Sequence, residues 1–425
     1  MLHNSKIIHM VGITGQGMVA LCELLVAEGK QITGSDTGEV FQTSAILQKL
    51  GIRVKKFQKK NITKTVDAVV RSSAYGDAHV EIAAARHLGI PVMDYIDAVA
   101  EIFNTKRGVL IAGTHGKTST TALVGCMLED AGYDPTVLVG ATVRRWGKNA
   151  RAGKSEWMVA EGDEYQNKFL KLRPEILIIT NIEYDHPDFF TTKKQYEQAF
   201  RTLVSGLPPR SLLIAEKNLK QIIVSVPCPV VWYGIVGKSE GRHMELNKKA
   251  ALLVARRFGI ARVKAKRSFD AYEGVSRRIE LYTSSDADTV VLDDYAHHPT
   301  EIKTTLAYIR RLYPKHRITA LFQPHTYSRT HVLLQDFTRS FGNADEVVLM
   351  PIYSSARERK DDFPPDLFER LLQETSKKHS NVKDVSGIKE AVAYCRNLVP
   401  IANGRVIVTF GAGDVWQVAK ALATD

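Results

Sequence analysis

The stretch IAGTHGKTSTTAL, residues 111–123, decides how the fold is read. It ends the aliphatic run VLIAG (109–113) and opens a run whose apolar residues are spaced for a helix packed on a sheet. Free N–H groups at such a helix start, with the positive end of its dipole, form an anion site whatever the side chains are. Gly116-Lys117-Thr118 adds a lysine that reaches β- and γ-phosphates and a hydroxyl, from Thr118 or Ser119, for Mg2+. The common phosphate loop has another glycine five places before Gly116, and that place holds Ile111. Taken alone, the triplet also fits a turn that merely caps its helix.

Working outward, the same order of β-rich run, glycine turn and helix recurs. A first unit holds KIIHMVG (6–12), a helix through GMVALCELLVAEG, then QITGSD (31–36), DAVVRSSA (67–74) and PVMDY (91–95). A second starts at VLIAG and continues with WMVA (157–160), EILIITNI (175–182), SLLIA (211–215), PVVWYG (229–234) and a helix over 244–258. The third holds TVVLDDY (289–295), RITALFQP (317–324), EVVLMPIY (346–353) and RVIVTFGAG (405–413). This alternation predicts an α/β protein of three consecutive domains, 1–107, 108–267 and 268–425. The first and last are Rossmann-like; the middle one is a phosphate-loop ATPase domain with a mostly parallel sheet. Ligands are expected at the carboxyl ends of strands.

A chain of 425 residues exceeds one ordinary core, and 44% hydrophobic with 24% charged residues is the balance of a soluble globular protein. No apolar run is long enough to span a bilayer, and MLHNSKIIHMVG lacks the basic-then-apolar pattern of a signal peptide. Cys22, Cys126, Cys228 and Cys395 are scattered without a CxxC pair, which predicts reduced thiols and a cytoplasmic location. The net charge of +12 is spread along the chain without an aromatic-interleaved basic stripe. It suits anionic small molecules better than nucleic acid.

Two further stretches bear on the loop. WMVAEGDEY (157–165) sets Glu161 and Asp163 just past one strand, and TNIEYDHPD (180–188) sets Asp185, His186 and Asp188 past another. Each alone fits a helix cap or a surface charge. Together, at strand tips beside a phosphate loop, they are the groups a magnesium nucleotide requires.

The segments GTHGKTST (113–120), EGDE (161–164), TNIEYDHPD, LDDYAHHPTEI (292–302), FQPHTYSRT (322–330) and GAGDVWQVAKAL (411–422) resemble the Mur ligases, in family order and over nearly the whole chain. The family's loop lacks the first glycine, so Ile111 is no objection. The resemblance implies a cytoplasmic, ATP- and Mg2+-dependent enzyme that joins L-alanine to the carboxylate of UDP-N-acetylmuramate in peptidoglycan precursor synthesis. It also implies a monomer or weak dimer without nucleic-acid or membrane partners. A ligase that recycles a murein tripeptide is a close alternative, and a degenerate ligase fold acting as a binding protein is a more distant one. A nicotinamide oxidoreductase would explain the first unit but not the Gly-Lys-Thr loop.

Carried over residue by residue, the resemblance places Gly12, Gly15, Gly17 and Met18 at the UDP diphosphate, Asp36 near the nucleoside, and Ser72, Ser73 and Asn181 on the UDP-sugar. Gly113, Thr114, His115, Gly116, Lys117, Thr118 and Ser119 would cradle ATP, with His243 and Asn247 near adenine and Asp293 near the ribose. Thr118, Glu161 and His186 would surround Mg2+, and Tyr295, His297, His325 and Arg329 would line the amino-acid pocket. Arg329 suits a carboxylate through its planar fork. Lys117, Glu161, His186 and Arg278 are the candidate catalytic residues, Arg277 and Arg278 lying at a hinge. Three departures stand out: Thr14 replaces a family glycine, Met244 replaces an amide of HNxxN, and few residues separate WYG (232–234) from GRHMELN, which implies a shortened central domain. Neither Lys193 nor Lys194 can be assigned as the carbamylated lysine of some relatives.

Overall fold

The computed structural model describes residues 1–39, 41–235, 242–282, 288–354, 358–398 and 404–423. Most of the connection between WYG and the helix His243–Arg257, on which the expectation of a shortened domain rests, lies outside them. By its internal contacts the chain divides into two compact units. One contains Met1–Glu183, Glu197–Gly234 and Leu246–Val275; the other contains Tyr184–Tyr196, Ile235–Glu245 and Ser276–Asp425.

The first unit carries two sheets. Strands β1 (Ile7–Val11), β2 (Gln31–Asp36), β3 (Val54–Lys56), β4 (Ala68–Arg71) and β5 (Val92–Asp94) are all parallel, in the order β3-β2-β1-β4-β5. The chain moves outward from β1 and then returns to add β4 on the other side. The crevice between the carboxyl ends of β1 and β4 is therefore the topological switch point where such sheets bind ligands. The second sheet is built from β6 (Arg107–Ala112), β7 (Thr136–Val143), β8 (Lys148–Arg151), β9 (Trp157–Glu161), β10 (Ile176–Ile179), β11 (Leu212–Glu216) and β12 (Val230–Tyr233). Its order is β12-β11-β10-β6-β9-β7-β8, antiparallel only at β7–β8. Here β6 stands between β9 and β10, so the loop after β6 is flanked by the tips of both.

The second unit carries one sheet, β13 (Glu280–Tyr282), β14 (Thr289–Asp294), β15 (Arg317–Phe322), β16 (Glu346–Leu349), β17 (Val382–Asp384) and β18 (Arg405–Phe410), ordered β13-β14-β18-β15-β16-β17. Only β13 runs antiparallel to its neighbour. Late insertion of β18 between β14 and β15 sets their carboxyl ends around a second switch point.

Continuous aliphatic sequence makes the central strands. Ile176–Ile179 and Arg405–Phe410 are buried at every position, as expected for parallel strands covered on both faces. No described helix is long and apolar enough to cross a membrane.

Candidate functional site

The β6 loop has the shape its sequence predicts. Gly113 (φ +132°) and Gly116 (φ +79°) hold conformations that other residues resist, and Gly116 opens the helix Lys117–Asp130 without a side-chain cap. A Cβ on Gly113 would lie 2.2 Å from Thr180 Oγ1, and one on Gly116 would lie 2.9 Å from Asn247 Oδ1. The result is a concave run of backbone beside uncapped helix N–H groups, which fits a phosphate. Asn247 thus lies against the loop.

Lys117 is folded back onto this loop. Its Nζ donates to the carbonyls of Gly113 (2.5 Å) and Thr114 (3.0 Å) and to Glu164 Oε2 (2.9 Å). Burial, the largest single effect, opposes its charge. The carboxylates of Glu164, Asp163 and Glu161 together outweigh that, so its affinity for the proton is raised and the ammonium persists. Thr118 Oγ1 donates to Glu161 Oε2 at 3.2 Å, and Glu161 Oε1 accepts the Gly140 N–H at 2.5 Å. A hydroxyl and a carboxylate held together at the end of β9 are hard oxygen donors that fit Mg2+.

Asn181 serves the loop. Its Oδ1 accepts the His115 N–H (2.9 Å) and its Nδ2 donates to the His115 carbonyl (3.0 Å), while Thr180 Oγ1 donates to the same carbonyl (2.6 Å). The side chain expected on the UDP-sugar thus also shapes the phosphate loop. His115 Nε2 lies 3.0 Å from Glu183 Oε2.

At the β1–β4 crevice, Gly12 (φ +77°) and Gly17 are required by close packing. Cβ atoms there would meet Tyr75 Cε2 at 2.6 Å and the Tyr95 hydroxyl at 2.8 Å. Gly15 differs, since its Cβ would meet nothing closer than 3.7 Å. Met18 is buried, its Cγ standing 3.8 Å from a Cβ on Gly15. Thr14, the departure from the family glycine, donates through N (2.9 Å) and Oγ1 (2.5 Å) to Asp36 Oδ2. Asp36, expected near the nucleoside, is buried and clamps the loop. Ser72 follows β4, and its Cβ would stand 2.9 Å from a Cβ on Gly12.

In the second unit the expected amino-acid pocket gathers at the ends of β14 and β15. The ring centroids of Tyr295 and His297 are 5.3 Å apart, and those of His297 and His325 are 6.1 Å apart. His325 stacks on Tyr353 at 5.6 Å. Arg329 joins them through His325, and two of its nitrogens are engaged. Nε donates to Asp185 Oδ1 at 2.8 Å and Nη1 to the His325 carbonyl at 3.1 Å, both charges being buried. Burial opposes ionisation of Asp185, yet Arg329 and neighbouring histidines hold its carboxyl well below the usual range. Arg329 is therefore first a partner of Asp185, a role its sequence context did not announce. Burial and then Arg329 push His297 down to about 4, leaving it neutral at pH 7. His186 (φ +56°) lies in this unit, with its N–H on Asp185 Oδ1 at 2.7 Å. Of the proposed metal trio, only Thr118 and Glu161 are seen together.

Asp293, expected near the ribose, is fully buried, accepting from Arg277 Nε (2.9 Å) and Thr409 Oγ1 (2.6 Å). Its place within β14 turns it inward, and Arg277 completes the lock by donating to the Gly411 and Gly413 carbonyls. Arg278 remains part-exposed, 3.5 Å from Glu301 and over the Tyr295 ring. Burial and Arg278 push His243 down to about 4. Its buried Nδ1 finds no hydrogen-bond partner among the described residues. Glu164 was not singled out from sequence, although the EGDE tetrad contains it. Three acidic residues in four leave open which one faces the lysine.

Comparisons with known proteins agree with this geometry. Family profiles described as Mur ligase family, catalytic domain, Mur ligase middle domain, and Mur ligase, glutamate ligase domain match residues 7–107, 111–264 and 277–413. A UDP-N-acetylmuramate–L-alanine ligase of Desulfitobacterium hafniense is 37% identical over 98% of this chain and 99% of its own. One of Caldanaerobacter subterraneus is 36% identical over 99% and 97%. Among solved structures, a UDP-N-acetylmuramate–alanine ligase of Thermotoga maritima superposes with TM-score 0.82 at 24% identity, covering 99% of this chain and 98% of that one. A murein peptide ligase of Psychrobacter arcticus superposes with TM-score 0.76 at 21% identity, covering 99% of each, so the two share one fold with this chain. With all three profiles matched in order and relatives of this identity along its length, the chain belongs to the Mur ligase family.

Proposed function

We propose that this protein joins L-alanine to the carboxylate of UDP-N-acetylmuramate at the expense of ATP, releasing ADP and phosphate, in the cytoplasmic assembly of peptidoglycan precursors. The observation that carries the reading is the β6 loop with Lys117 at its mouth and the Thr118–Glu161 pair beside it. Relatives 32–37% identical carry the name of this activity, which favours it over tripeptide recycling. The division of labour follows the three sheets, with UDP-sugar on residues 1–107, ATP on 108–267 and the amino acid on 268–425.

The chemistry follows from the substrates. A carboxylate is a poor electrophile, so its oxygen first attacks the γ-phosphorus of ATP, giving an acyl phosphate and ADP. The alanine amine then adds to the acyl carbon, and phosphate leaves as the amide forms. Positioning and charge neutralisation supply most of the catalysis in such phosphoryl transfers. Lys117 offers its ammonium to the γ-phosphate after exchanging its own loop carbonyls for phosphate oxygens. Mg2+ held by Thr118 and Glu161 would neutralise phosphate charge. His186 is kept as a third ligand in this proposal because it follows the β10 tip in sequence.

His297 Nδ1 lies 3.0 Å from the Tyr295 carbonyl, which can only accept, so the ring proton sits there and Nε2 is left as a base. That nitrogen can accept a hydrogen bond from the attacking amine and orient it. Arg278 would supply positive charge to the phosphates. Phosphate release and product mass, measured for one amino acid at a time with ATP and UDP-N-acetylmuramate, test the reading. Turnover with the murein tripeptide and none with L-alanine would replace it with the recycling activity.

A further inference from the structure

The family-like tetrad EGDE is followed here by Tyr165-Gln166-Asn167-Lys168, a stretch the motifs leave unexplained. Gln166 (φ 56°, ψ 26°) and Asn167 (φ 57°, ψ 25°) are consecutive non-glycine residues in the left-handed region. Such conformations cost about 1–3 kcal/mol each and persist where the surroundings enforce them, often at ligand sites. Lys168 follows them directly. Its ammonium, nearly buried, donates to Asp163 Oδ2 at 2.9 Å and Ser73 Oγ at 3.2 Å, and stands 4.9 Å from the Tyr165 ring centre.

This position joins two ligand crevices of the first unit. Ser73 adjoins Ser72, which packs against Gly12 at the β1–β4 switch point. Asp163 lies two residues beyond Glu161 at the tip of β9. A UDP-sugar seated on the first crevice must deliver its carboxylate toward the second, and Lys168 stands where the two meet. We infer that Lys168 is a substrate-binding cation for an anionic group of the UDP-sugar, exchanging the Ser73 hydroxyl for it. The inference rests on the functional reading above.

Calorimetric titration of full-length wild type, Lys168→Gln, Lys168→Ala and Lys168→Arg with UDP-N-acetylmuramate and with UDP tests it, alongside KM for each substrate. The expected result is at least a tenfold loss of UDP-N-acetylmuramate affinity in the neutral variants and partial rescue by arginine, with KM for ATP and L-alanine within about threefold of wild type. Weakened UDP binding as well would identify the diphosphate as the anion held, and unchanged UDP binding would identify the muramyl carboxylate. Folded Lys168→Gln protein with wild-type affinity, or equal losses for all three substrates, would overturn the inference and leave Lys168 a tether between sheets. Wild type that ignores UDP-N-acetylmuramate would overturn the functional reading as well.

Discussion

Lys117 and Arg329 are both cations on helices that follow strands, yet the protein holds them differently. Lys117 spends its three donors on two carbonyls and Glu164, contacts that a phosphate oxygen can replace one at a time. Lys117→Ala should therefore lower the ligation rate by a factor of about 100 or more, the scale for one preorganised donor in a transition state. Calorimetry should show UDP-N-acetylmuramate still binding, because that crevice belongs to another sheet. Ligation within a few-fold of wild type would remove Lys117 from the mechanism. Arg329 cannot be lent so freely, since its Nε neutralises the buried Asp185. Arg329→Ala should cost about 3–5 kcal/mol of stability, the penalty for stranding one member of a buried ion pair. Denaturant unfolding should show Asp185→Asn in the same chain restoring part of it. Unchanged stability with only a raised KM for L-alanine would return Arg329 to the role of a free carboxylate fork. The sequence displayed which charged residues cluster at strand tips. It could not display which of them pair, because Asp185 and Arg329 are far apart in sequence and meet only through the fold.

At the scale of elements, strands with long aliphatic runs were legible, and the loops that follow them carried the site. The strands that escaped notice were mostly short and peripheral: Val54–Lys56 and Val382–Asp384 each close a sheet, and Lys148–Arg151 is a polar edge. Edge strands need only one covered face, so their sequences carry little apolar signal. Thr136–Val143 is apolar enough but gives no direct motif, and β9 enters the sheet between it and β6. Asp293 shows a related limit, since its inward pairing with Arg277 spans sixteen residues and appears only in the fold. The β6 loop and the β9 tip act as one element through the Thr118–Glu161 contact. Glu161→Gln should keep the hydrogen bond and remove the charge, raising the Mg2+ concentration for half-maximal rate about tenfold or more while the protein stays folded. An unchanged metal dependence would place the metal elsewhere.

Across the whole molecule, buried titratable groups set the acid limit. Glu81 is held down to about 2, because hydrogen bonds from His9, Ser35, Asn61 and the Gln58 N–H outweigh its burial. Its stabilisation is complete above its ordinary value of 4.5 and is lost as pH falls toward 2. Asp185 has the same sign. His243 and His297, lowered from 6.5 to about 4, stabilise the neutral fold above 6.5 and lose that as pH falls toward 4. Glu23 and Asp294, raised by burial to about 7 and about 6, work the other way and lose their contribution as pH rises through those values. Stability should accordingly be nearly flat from pH 7 to about 4.5, where the two groups oppose, and fall steeply below. Chemical denaturation at a series of pH values checks this, and a steady loss beginning at pH 7 would contradict it. The central claim is that ATP activates the sugar carboxylate before L-alanine attacks, and oxygen transfer tests it most directly. With UDP-N-acetylmuramate labelled by 18O in its carboxylate, plus ATP, Mg2+ and L-alanine, the released phosphate should carry one labelled oxygen per amide formed. Amide formation with unlabelled phosphate would contradict the account.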